Sequence, residues 1–259
     1  MSTLKLAVAK NGIAVVTLAN PPMNAMDAAL LEEMANLFEG LAADRAVRAA
    51  VITADGSAFS AGLNLKTTPC LDRLGKRRLV DALNDGFGTL YAWPKPLVAA
   101  VNGHAIAGGL ILALCADWRI VADTPMHISL AEVRVGVTYP VAPLQIARAE
   151  LAPSAARRLI LLGETIDAAA AEALAIVDER VPPKILLARA VAQAQLHAGL
   201  PPQAFATTKR ELRAVELERI GAARAGQGEP RLAAWLGEEM RRASAAVLRA
   251  SSAVLRGAA

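Results

Sequence analysis

The stretch Lys95–Gly109, KPLVAAVNGHAIAGG, places a short apolar run directly before a glycine turn and the start of a helix. Leu97–Val101 has the length and the continuous apolar character of a buried strand. Asn102-Gly103 marks a turn, and the run from Gly108 onward reads as a helix. The chain repeats this alternation of strand and helix on both sides of the stretch, which predicts β–α units rather than a sandwich of sheets.

The flanking segments predict the other elements. Two β-rich runs, Leu4–Val8 and Ile13–Leu18, are joined by Asn11-Gly12 and predict a hairpin. Asp27 is placed to N-cap a helix whose apolar residues follow the helical period. The remaining predicted elements are a strand at Ala49–Thr53, a helix that ends near Ala92, a strand at Trp118–Ala122, and a mostly helical region after Pro140 with a short strand near Ile176–Val181.

The clearest internal boundary is the turn sequence at residues 199–202, GLPP. Beyond it, stretches rich in Ala, Arg and Glu predict two helices, at about 201–222 and 231–255. The boundary divides the chain into residues 1–198 and a C-terminal helical segment, residues 199–259. Helices that follow a completed core are typical of an oligomerisation or lid element.

The composition excludes several classes of protein. Apolar residues make up 54% of the 259 residues, yet the longest uncharged apolar stretch, Ala105–Ala116, is too short to span a bilayer. Met1–Lys10 contains no signal segment, so we expect a soluble protein without a membrane partner. The net charge of +4 and the 3% of aromatic residues argue against a nucleic-acid partner. Two cysteines, Cys70 and Cys115, predict a reduced, cytoplasmic setting without a disulfide framework.

Two glycine-containing segments carry the candidate chemistry. The segment Ala58–Lys66 reads AFSAGLNLK, and its glycine, like Gly108, lies where a strand gives way to a loop or helix. A helix that begins at Gly108 presents unpaired N–H groups and the positive end of its dipole, and the missing Cβ admits a ligand atom close to the backbone. The pattern fits an anion or oxyanion pocket, and it also fits tight helix–strand packing through glycine. Three histidines in the whole chain argue against a multi-histidine metal site.

Together the two segments resemble the crotonase, or enoyl-CoA hydratase/isomerase, superfamily. Further matching segments follow in the same order: NPPMNAM at residues 20–26, CADWRI at 115–120, EVRVG at 132–136, LGETIDA at 162–168 and AIVDERVP at 175–182. The resemblance covers about residues 3–185, and the final helices match only in type.

The resemblance implies an α/β fold. Residues 1–198 are expected to form a crotonase-like spiral core of repeated β-β-α turns with the acyl-CoA site. Residues 199–259 are expected to form a C-terminal helical oligomerisation segment that completes part of the CoA site. The resemblance also implies an acyl-CoA thioester as substrate and a homotrimer or a dimer of trimers as assembly. It implies no metal and no redox cofactor, because CoA arrives as part of the substrate.

Members of the family share a hole of two backbone N–H groups that binds the thioester carbonyl. By position, the donors in this chain are Leu63 and Gly108. Removing a proton from carbon 2 of a thioester puts negative charge on its oxygen, and two preorganised donors stabilise that enolate. The resemblance sets further residues around the substrate: Ala61, Gly62, Asn64, Leu65, Lys66, Gly109, Ile111, Val137, Tyr139 and Lys209.

These further residues have different expected contacts. Val137 and Tyr139 are expected to form walls of the acyl pocket. Lys66, and Lys209 or Arg210 in the C-terminal segment, are expected near the CoA phosphates. Asn64 stands where an aspartate is common in the family, so its side chain is not expected to share that aspartate's role.

The reaction is indicated by two positions. Family hydratases use two carboxylates, one on the helix three residues after the oxyanion glycine and one after the following strand. The first position is Ile111 here, and the second is Glu132. Family 3,2-enoyl-CoA isomerases keep a single glutamate, which moves a proton from carbon 2 to carbon 4. Apolar neighbours such as Leu130 and Val133 are expected to raise the pKa of Glu132 by desolvation, as a general base and acid requires.

Other functions stay open. One is a 2-enoyl-CoA hydratase of fatty-acid or related acyl-CoA degradation, with a single carboxylate or with water held by other groups. Another is a non-catalytic member that binds acyl-CoA through the oxyanion hole alone. Hydration of crotonyl-CoA at enzymatic rates would support the first, and thioester binding without turnover would support the second. Decarboxylation and thioester hydrolysis are further reactions of the family.

Overall fold

The computed structural model describes residues 3–225, 232–240, 242–246 and 249. Its strands belong to two sheets. The strands are β1 Leu4–Val8, β2 Ile13–Leu18, β3 Ala49–Ala54, β4 Ala58–Ser60, β5 Leu97–Val101, β6 His104–Ile106, β7 Trp118–Ala122, β8 Ile128–Ser129, β9 Thr165–Ile166 and β10 Glu179–Val181. The larger sheet has the order β1-β2-β3-β5-β7-β10, and the smaller has the order β4-β6-β8-β9.

Helices pack on and between these sheets. They are α1 Ala28–Ala43, α2 Arg73–Tyr91, α3 Gly108–Leu114, α4 Val141–Glu150, α5 Pro153–Ala156, α6 Ala168–Ala173, α7 Leu186–Ala198, α8 Pro202–Leu212, α9 Ala214–Arg224 and α10 Leu232–Leu236. Short 3₁₀ turns lie at Thr68–Cys70, Glu132–Val135 and Pro183–Ile185, and a π turn lies at Arg157–Leu161.

The chain alternates between the two sheets. After the antiparallel hairpin β1–β2, the strands β2, β3, β5, β7 and β10 pair in parallel in the larger sheet. Between them, β4, β6 and β8 pair in parallel in the smaller sheet, and β9 closes it in the antiparallel direction. The sequences β3-β4-α2 and β5-β6-α3 are therefore successive β-β-α turns of a spiral. This confirms the predicted α/β spiral core.

The central strands and the first helix form where the sequence predicts them. β3 and β5 are apolar over nearly their whole length and are buried at every residue, as expected of parallel strands covered on both faces. Asp27 caps α1, since its carboxylate accepts a hydrogen bond from Leu30 N at 2.9 Å. α1 turns Leu31, Met34 and Phe38 into the core, with 0–1% of each residue exposed.

Several predicted elements differ in extent. β4, β6, β8 and β9 were not predicted, because strands of two or three residues have too little length for a periodic pattern. The strand expected near Ile176–Val181 covers only Glu179–Val181. The helix expected at 201–222 is two helices that meet at Arg213, and only part of the helix expected at 231–255 lies within the described residues.

Helices of the C-terminal segment pack against the core of the same chain. On α9, Ile220 is 2% exposed, and a Cβ at Gly88 of α2 would lie 2.8 Å from its Cγ2 atom. Arg219 of α9 donates to Gln145 of α4 at 2.9 Å. No helix in the described part of the chain is both long and apolar enough to cross a bilayer.

Candidate active site

The loops after β4 and β6 begin side by side, because these strands are parallel neighbours in the smaller sheet. Gly62 has φ +72°, and a Cβ on it would lie 2.8 Å from Ile106 O and 3.2 Å from Gly108 N. A Cβ on Gly109 would lie 2.2 Å from Ser60 O. Both approaches are too close for any side chain, so glycine at these positions is what lets the two loops touch.

Leu63 and Gly108 line the same cavity. Within the described residues, neither backbone N–H has a hydrogen-bond acceptor. The groups around Leu63 are paired: Met26 N donates to Gly62 O at 2.7 Å and Asn64 N donates to Met26 O at 3.4 Å. Gly108 is the first residue of α3, where an N–H has no acceptor within the helix. Two unpaired donors on fixed backbone are what an oxyanion hole needs.

A buried polar network lies beneath the Gly62–Leu63 turn. Asn24 is 2% exposed and has φ +50°, and its amide nitrogen donates to Asp55 O and Ala58 O, each at 2.8 Å. The backbone carbonyl oxygen of Asn24 accepts a hydrogen bond from the Ser60 hydroxyl at 2.7 Å. The same hydroxyl oxygen accepts from Gly62 N at 3.1 Å. The segment NPPMNAM is thus connected to the Gly62–Leu63 turn by the hydrogen bonds that run from Asn24 through the Ser60 hydroxyl to Gly62.

The cavity in front of the two donors holds about 670 Å³ of space, part of which is open solvent at its mouth. Nearly all of its lining is apolar. The lining residues are Ala61, Leu63, Leu65, Thr68, Leu83, Phe87, Ile106, Ala107, Gly108, Ile111, Ala131, Glu132, Val135, Val137, Pro140, Pro143, Trp235 and Met240.

Glu132 is the first residue of the 3₁₀ turn after β8, and it is 9% exposed. Its Oε2 atom is buried and has no hydrogen-bond partner among the described residues. Burial raises the pKa of the Glu132 carboxyl to about 7, although the neighbouring Tyr139 hydroxyl opposes that rise. A carboxyl that is about half ionised near neutral pH can both accept and return a proton.

Tyr139 neighbours Glu132 but is not among the described residues that line the cavity, although it is expected to form part of that wall. It is 5% exposed, and its hydroxyl donates to Leu130 O at 3.4 Å beside the Glu132 carboxyl. Burial, together with the neighbouring carboxylate, raises the pKa of the Tyr139 phenol. The phenol therefore stays protonated at neutral pH and remains a hydrogen-bond donor.

Ile111 lies one helical turn after Gly108 on α3, lines the cavity and is fully buried. Its side chain has no polar atom that could hold a water molecule. Among the described residues, Glu132 is the single ionisable side chain that lines the cavity. Of the other predicted positions, Ala61, Leu65 and Val137 also line it.

Asn64 and Lys66 belong to the loop rather than to the cavity wall. The Asn64 side chain accepts a hydrogen bond from Lys66 N at 3.0 Å, which closes a local turn. Lys66 is exposed and does not belong to the described residues that line the cavity. This hydrogen bond gives the Asn64 side chain a conformational role in the loop.

Lys209 differs from its expected place beside the CoA phosphates. It is 7% exposed, and its ammonium group donates to Asp117 at 2.8 Å and to Lys95 O at 3.2 Å. Burial lowers the pKa of Lys209 to about 8, although the charge of Asp117 opposes this effect. The Lys209 charge is thus already neutralised inside the protein, whereas Arg210 is exposed.

Several cavity residues were not predicted. Leu83 and Phe87 lie one turn apart on α2, and Trp235 and Met240 come from the C-terminal segment. The spacing of Leu232, Trp235 and Leu236 indicates an apolar helix face, but spacing alone does not say what that face covers. His104 stacks on His127 with ring centroids 5.1 Å apart and accepts a hydrogen bond from His127 N.

The described part of the chain contains no group of three or more His, Cys, Asp or Glu side chains placed to hold a metal ion.

Residues 8–228 match the family model described as Enoyl-CoA hydratase/isomerase. The protein named "Putative enoyl-CoA hydratase" of Thermus thermophilus is 35% identical over 80% of this chain and 83% of that protein. The mitochondrial Enoyl-CoA delta isomerase 1 of Homo sapiens is 30% identical over 81% of this chain and 70% of that protein.

Solved structures show the same architecture. The crystal structure of human mitochondrial delta3-delta2-enoyl-CoA isomerase superimposes with a TM-score of 0.89 at 26% identity. The superposition covers 97% of this chain and 98% of that one. The likeness therefore extends over nearly the whole molecule.

Proposed function

The chain belongs to the enoyl-CoA hydratase/isomerase family, and on that premise we propose that it isomerises a 3-enoyl-CoA to the conjugated 2-enoyl-CoA. Glu132 is the proposed proton shuttle, and the N–H groups of Leu63 and Gly108 are the proposed oxyanion hole. The substrate is an acyl-CoA thioester, and the reaction needs no further reactant.

The observation that carries the proposal is the pairing of Ile111 with Glu132 in one cavity. Hydration requires one group to hold and deprotonate water and another to deliver a proton to carbon 2. Ile111 supplies neither, and no second ionisable side chain lines the cavity within the described residues. Moving a proton within one substrate needs only a single carboxyl that acts first as base and then as acid.

The proton and electron balance of the step is simple. The Glu132 carboxylate removes a proton from carbon 2, and the electron pair delocalises over the thioester oxygen and carbons 2 to 4. The N–H groups of Leu63 and Gly108 stabilise the oxygen of this dienolate, an effect worth about 3–4 kcal/mol for one such donor. Protonated Glu132 then delivers the proton to carbon 4, which leaves the double bond between carbons 2 and 3.

The environment of Glu132 supports this double role. Burial holds its pKa at about 7, so the carboxylate and the acid are nearly equal in free energy at neutral pH. A general base with that pKa abstracts the proton without binding it too tightly to return it. The nearby Tyr139 hydroxyl moderates the effect of burial on this pKa.

Hydration of a 2-enoyl-CoA is the second candidate function. It is favoured by the similarity to the Thermus thermophilus protein whose name refers to hydratase activity. The similarity to the human isomerase in both sequence and structure favours isomerisation instead. A hydratase reaction here would need water held by groups other than carboxylates of the cavity wall.

Purified protein assayed against matched 3-enoyl-CoA and 2-enoyl-CoA thioesters tests the proposal. We expect isomerisation of the 3-enoyl-CoA, and a loss of about 100-fold or more in kcat for Glu132→Gln, the usual scale for a lost general base. Binding of a saturated acyl-CoA to Glu132→Gln serves as the control that the pocket is intact. A near wild-type isomerisation rate in that variant, or hydration of crotonyl-CoA as the faster wild-type reaction, would contradict the proposal.

A further inference from the structure

Four separate segments of the chain contribute apolar walls to the cavity. α2 contributes Leu83 and Phe87, α4 contributes Pro143, and the C-terminal segment contributes Trp235 and Met240. The fourth segment is the loop after the Glu132 turn. We propose that these walls bind an acyl group that is hydrocarbon to its end, and that Trp235 limits its length. This inference rests on the proposed function, since it specifies the substrate of the same site.

The lining leaves a polar chain end without a partner. Apart from Glu132, the lining side chains that carry a polar atom are Thr68 and Trp235. The Trp235 indole N–H already donates to Thr138 O at 2.9 Å. Thr68 begins the 3₁₀ turn Thr68–Cys70, five residues after Leu63, and belongs to none of these four segments. A terminal carboxylate or hydroxyl packed against the walls from α2, α4 and the C-terminal segment would therefore lose its hydration without gaining hydrogen bonds from their side chains.

Trp235 is held firmly enough to act as a wall. It is 1% exposed, and its hydrogen bond to Thr138 O ties α10 to the loop that also supplies Val137. A second contact lies nearby, where Gly136 at φ +70° approaches the C-terminal segment: a Cβ there would lie 3.0 Å from Glu239 O. Displacing the indole would break the hydrogen bond and separate these two segments.

The consequence is a specific dependence of affinity on chain length. Each methylene buried in the cavity should tighten binding about fourfold, equivalent to roughly 0.8 kcal/mol. Once the chain end reaches Trp235, another methylene has to displace packed side chains, and overpacking of this kind is unfavourable. Affinity should therefore rise along a series of chain lengths and then stop rising.

Calorimetric titration of the wild-type protein with saturated acyl-CoA thioesters tests both parts. Butanoyl-, hexanoyl-, octanoyl-, dodecanoyl- and hexadecanoyl-CoA report on length, and adipyl-CoA compared with hexanoyl-CoA reports on the chain end. We expect a break in the length series and at least about 100-fold weaker binding of adipyl-CoA. Steadily increasing affinity throughout the series, or adipyl-CoA within threefold of hexanoyl-CoA, would overturn the inference.

Substitution at Trp235 locates the wall. Trp235→Ala should move the break to a longer acyl chain, whereas Trp235→Phe keeps an aromatic wall and should leave it in place. Trp235→Leu provides a milder truncation should the alanine variant unfold, as judged by thermal melting. An unchanged break in the truncated variants would show that Trp235 does not set the length. Saturated thioesters cannot isomerise or hydrate, so these results are independent of whether the proposed reaction occurs.

Discussion

At Glu132 the fold holds a carboxyl group away from water with one oxygen unpaired. Its pKa of about 7 lies above the ordinary value of 4.5, so the native state binds this proton more tightly than the unfolded chain does. As the pH rises from about 4.5 to about 7, this glutamate ionises in the unfolded chain but stays protonated in the native state. The unfolded state is thereby favoured, and the free energy of unfolding decreases. Above about pH 7 the full destabilisation is present.

Glu132→Gln should therefore stabilise the protein at alkaline pH. We expect a gain of roughly 3 kcal/mol in the free energy of unfolding at pH 8, because each tenfold change in proton affinity corresponds to about 1.4 kcal/mol. The gain should shrink towards zero at about pH 4. Urea unfolding at several pH values measures it, with Glu39→Gln, an exposed position on α1, as the control. Equal stability of Glu132→Gln and wild type at pH 8 would contradict the expected cost of this buried charge.

Ser60 is expected to position the oxyanion turn, because its hydroxyl joins Asn24 O to Gly62 N. Ser60→Ala leaves both buried groups unpaired and should lower stability by about 1–3 kcal/mol and lower kcat, with a smaller effect on the binding of a saturated acyl-CoA. Thr53→Val is the matched control. The Thr53 hydroxyl donates a comparable buried hydrogen bond, 2.9 Å long, to Ala100 O, and neither residue lines the cavity. A similar kcat loss in Thr53→Val would show that stability alone explains the effect.

At the scale of elements, the site depends on how closely α3 approaches β4. Gly109 in the first turn of α3 lies against Ser60 O, the last carbonyl of β4, where no Cβ fits. This contact sets the distance between the two loops that carry Leu63 and Gly108. The helix is short and buried throughout, so it has no freedom to move aside.

Gly109→Ala should disrupt the site even though alanine favours helices. The added methyl would lie 2.2 Å from Ser60 O, so α3 and β4 must separate, and we expect a loss of about 2–3 kcal/mol and of activity. Gly40→Ala in α1 meets nothing within 4 Å and should be neutral or stabilising by about 0.5–1 kcal/mol. Denaturant unfolding and kcat of both variants test this, and an active, stable Gly109→Ala protein would contradict it.

The elements that the sequence predicts best are those that bury a regular pattern. β5 and the cap at Asp27 follow from continuous apolar character and from side-chain chemistry that acts over three residues. The sequence does not predict the break between α8 and α9 at Arg213. The Arg213 guanidinium reaches Tyr91 O at 2.9 Å and lies over the Tyr91 ring, contacts made with a residue far away in the sequence.

At the scale of the whole molecule, a buried ionic cluster joins the C-terminal helices to the core. Asp117 accepts from Leu97 N at 2.9 Å and pairs with Lys209 at 2.8 Å and Arg213 at 3.1 Å. Arg213 also lies 3.5 Å from Glu150 of α4. These side chains are at most 17% exposed, so each charge depends on its partners rather than on water.

Asp117→Ala should destabilise the whole fold. It leaves the Lys209 and Arg213 charges without their shared partner, and removing one member of a buried ion pair costs about 3–5 kcal/mol. Lys5→Met breaks the exposed pair with Asp55, whose side chains are 67% and 54% exposed, and should cost no more than about 1 kcal/mol. Urea unfolding compares the two variants, and equal losses would show that burial of the cluster adds nothing.

The candidate site could be predicted in part. The residues that the resemblance identifies lie in three short segments of sequence, each recognisable by its motif. They are Gly62 and Leu63, Gly108 and Ile111, and Glu132. Trp235 and Met240 reach the cavity from the far end of the chain, and Lys209 is drawn into the ionic cluster. Such placements depend on tertiary packing, which no local pattern encodes.

The two donors at Leu63 and Gly108 belong to the main chain, so they persist when the side chains around them change. Substitutions at wall positions such as Ile111 or Trp235 alter the acid–base groups or the volume and leave the proposed anion-stabilising groups where they are. A lineage with this architecture can pass from one thioester reaction to another through intermediates that still bind and polarise the same carbonyl. At Gly62 and Gly109, by contrast, any side chain would disturb both loops and therefore both donors.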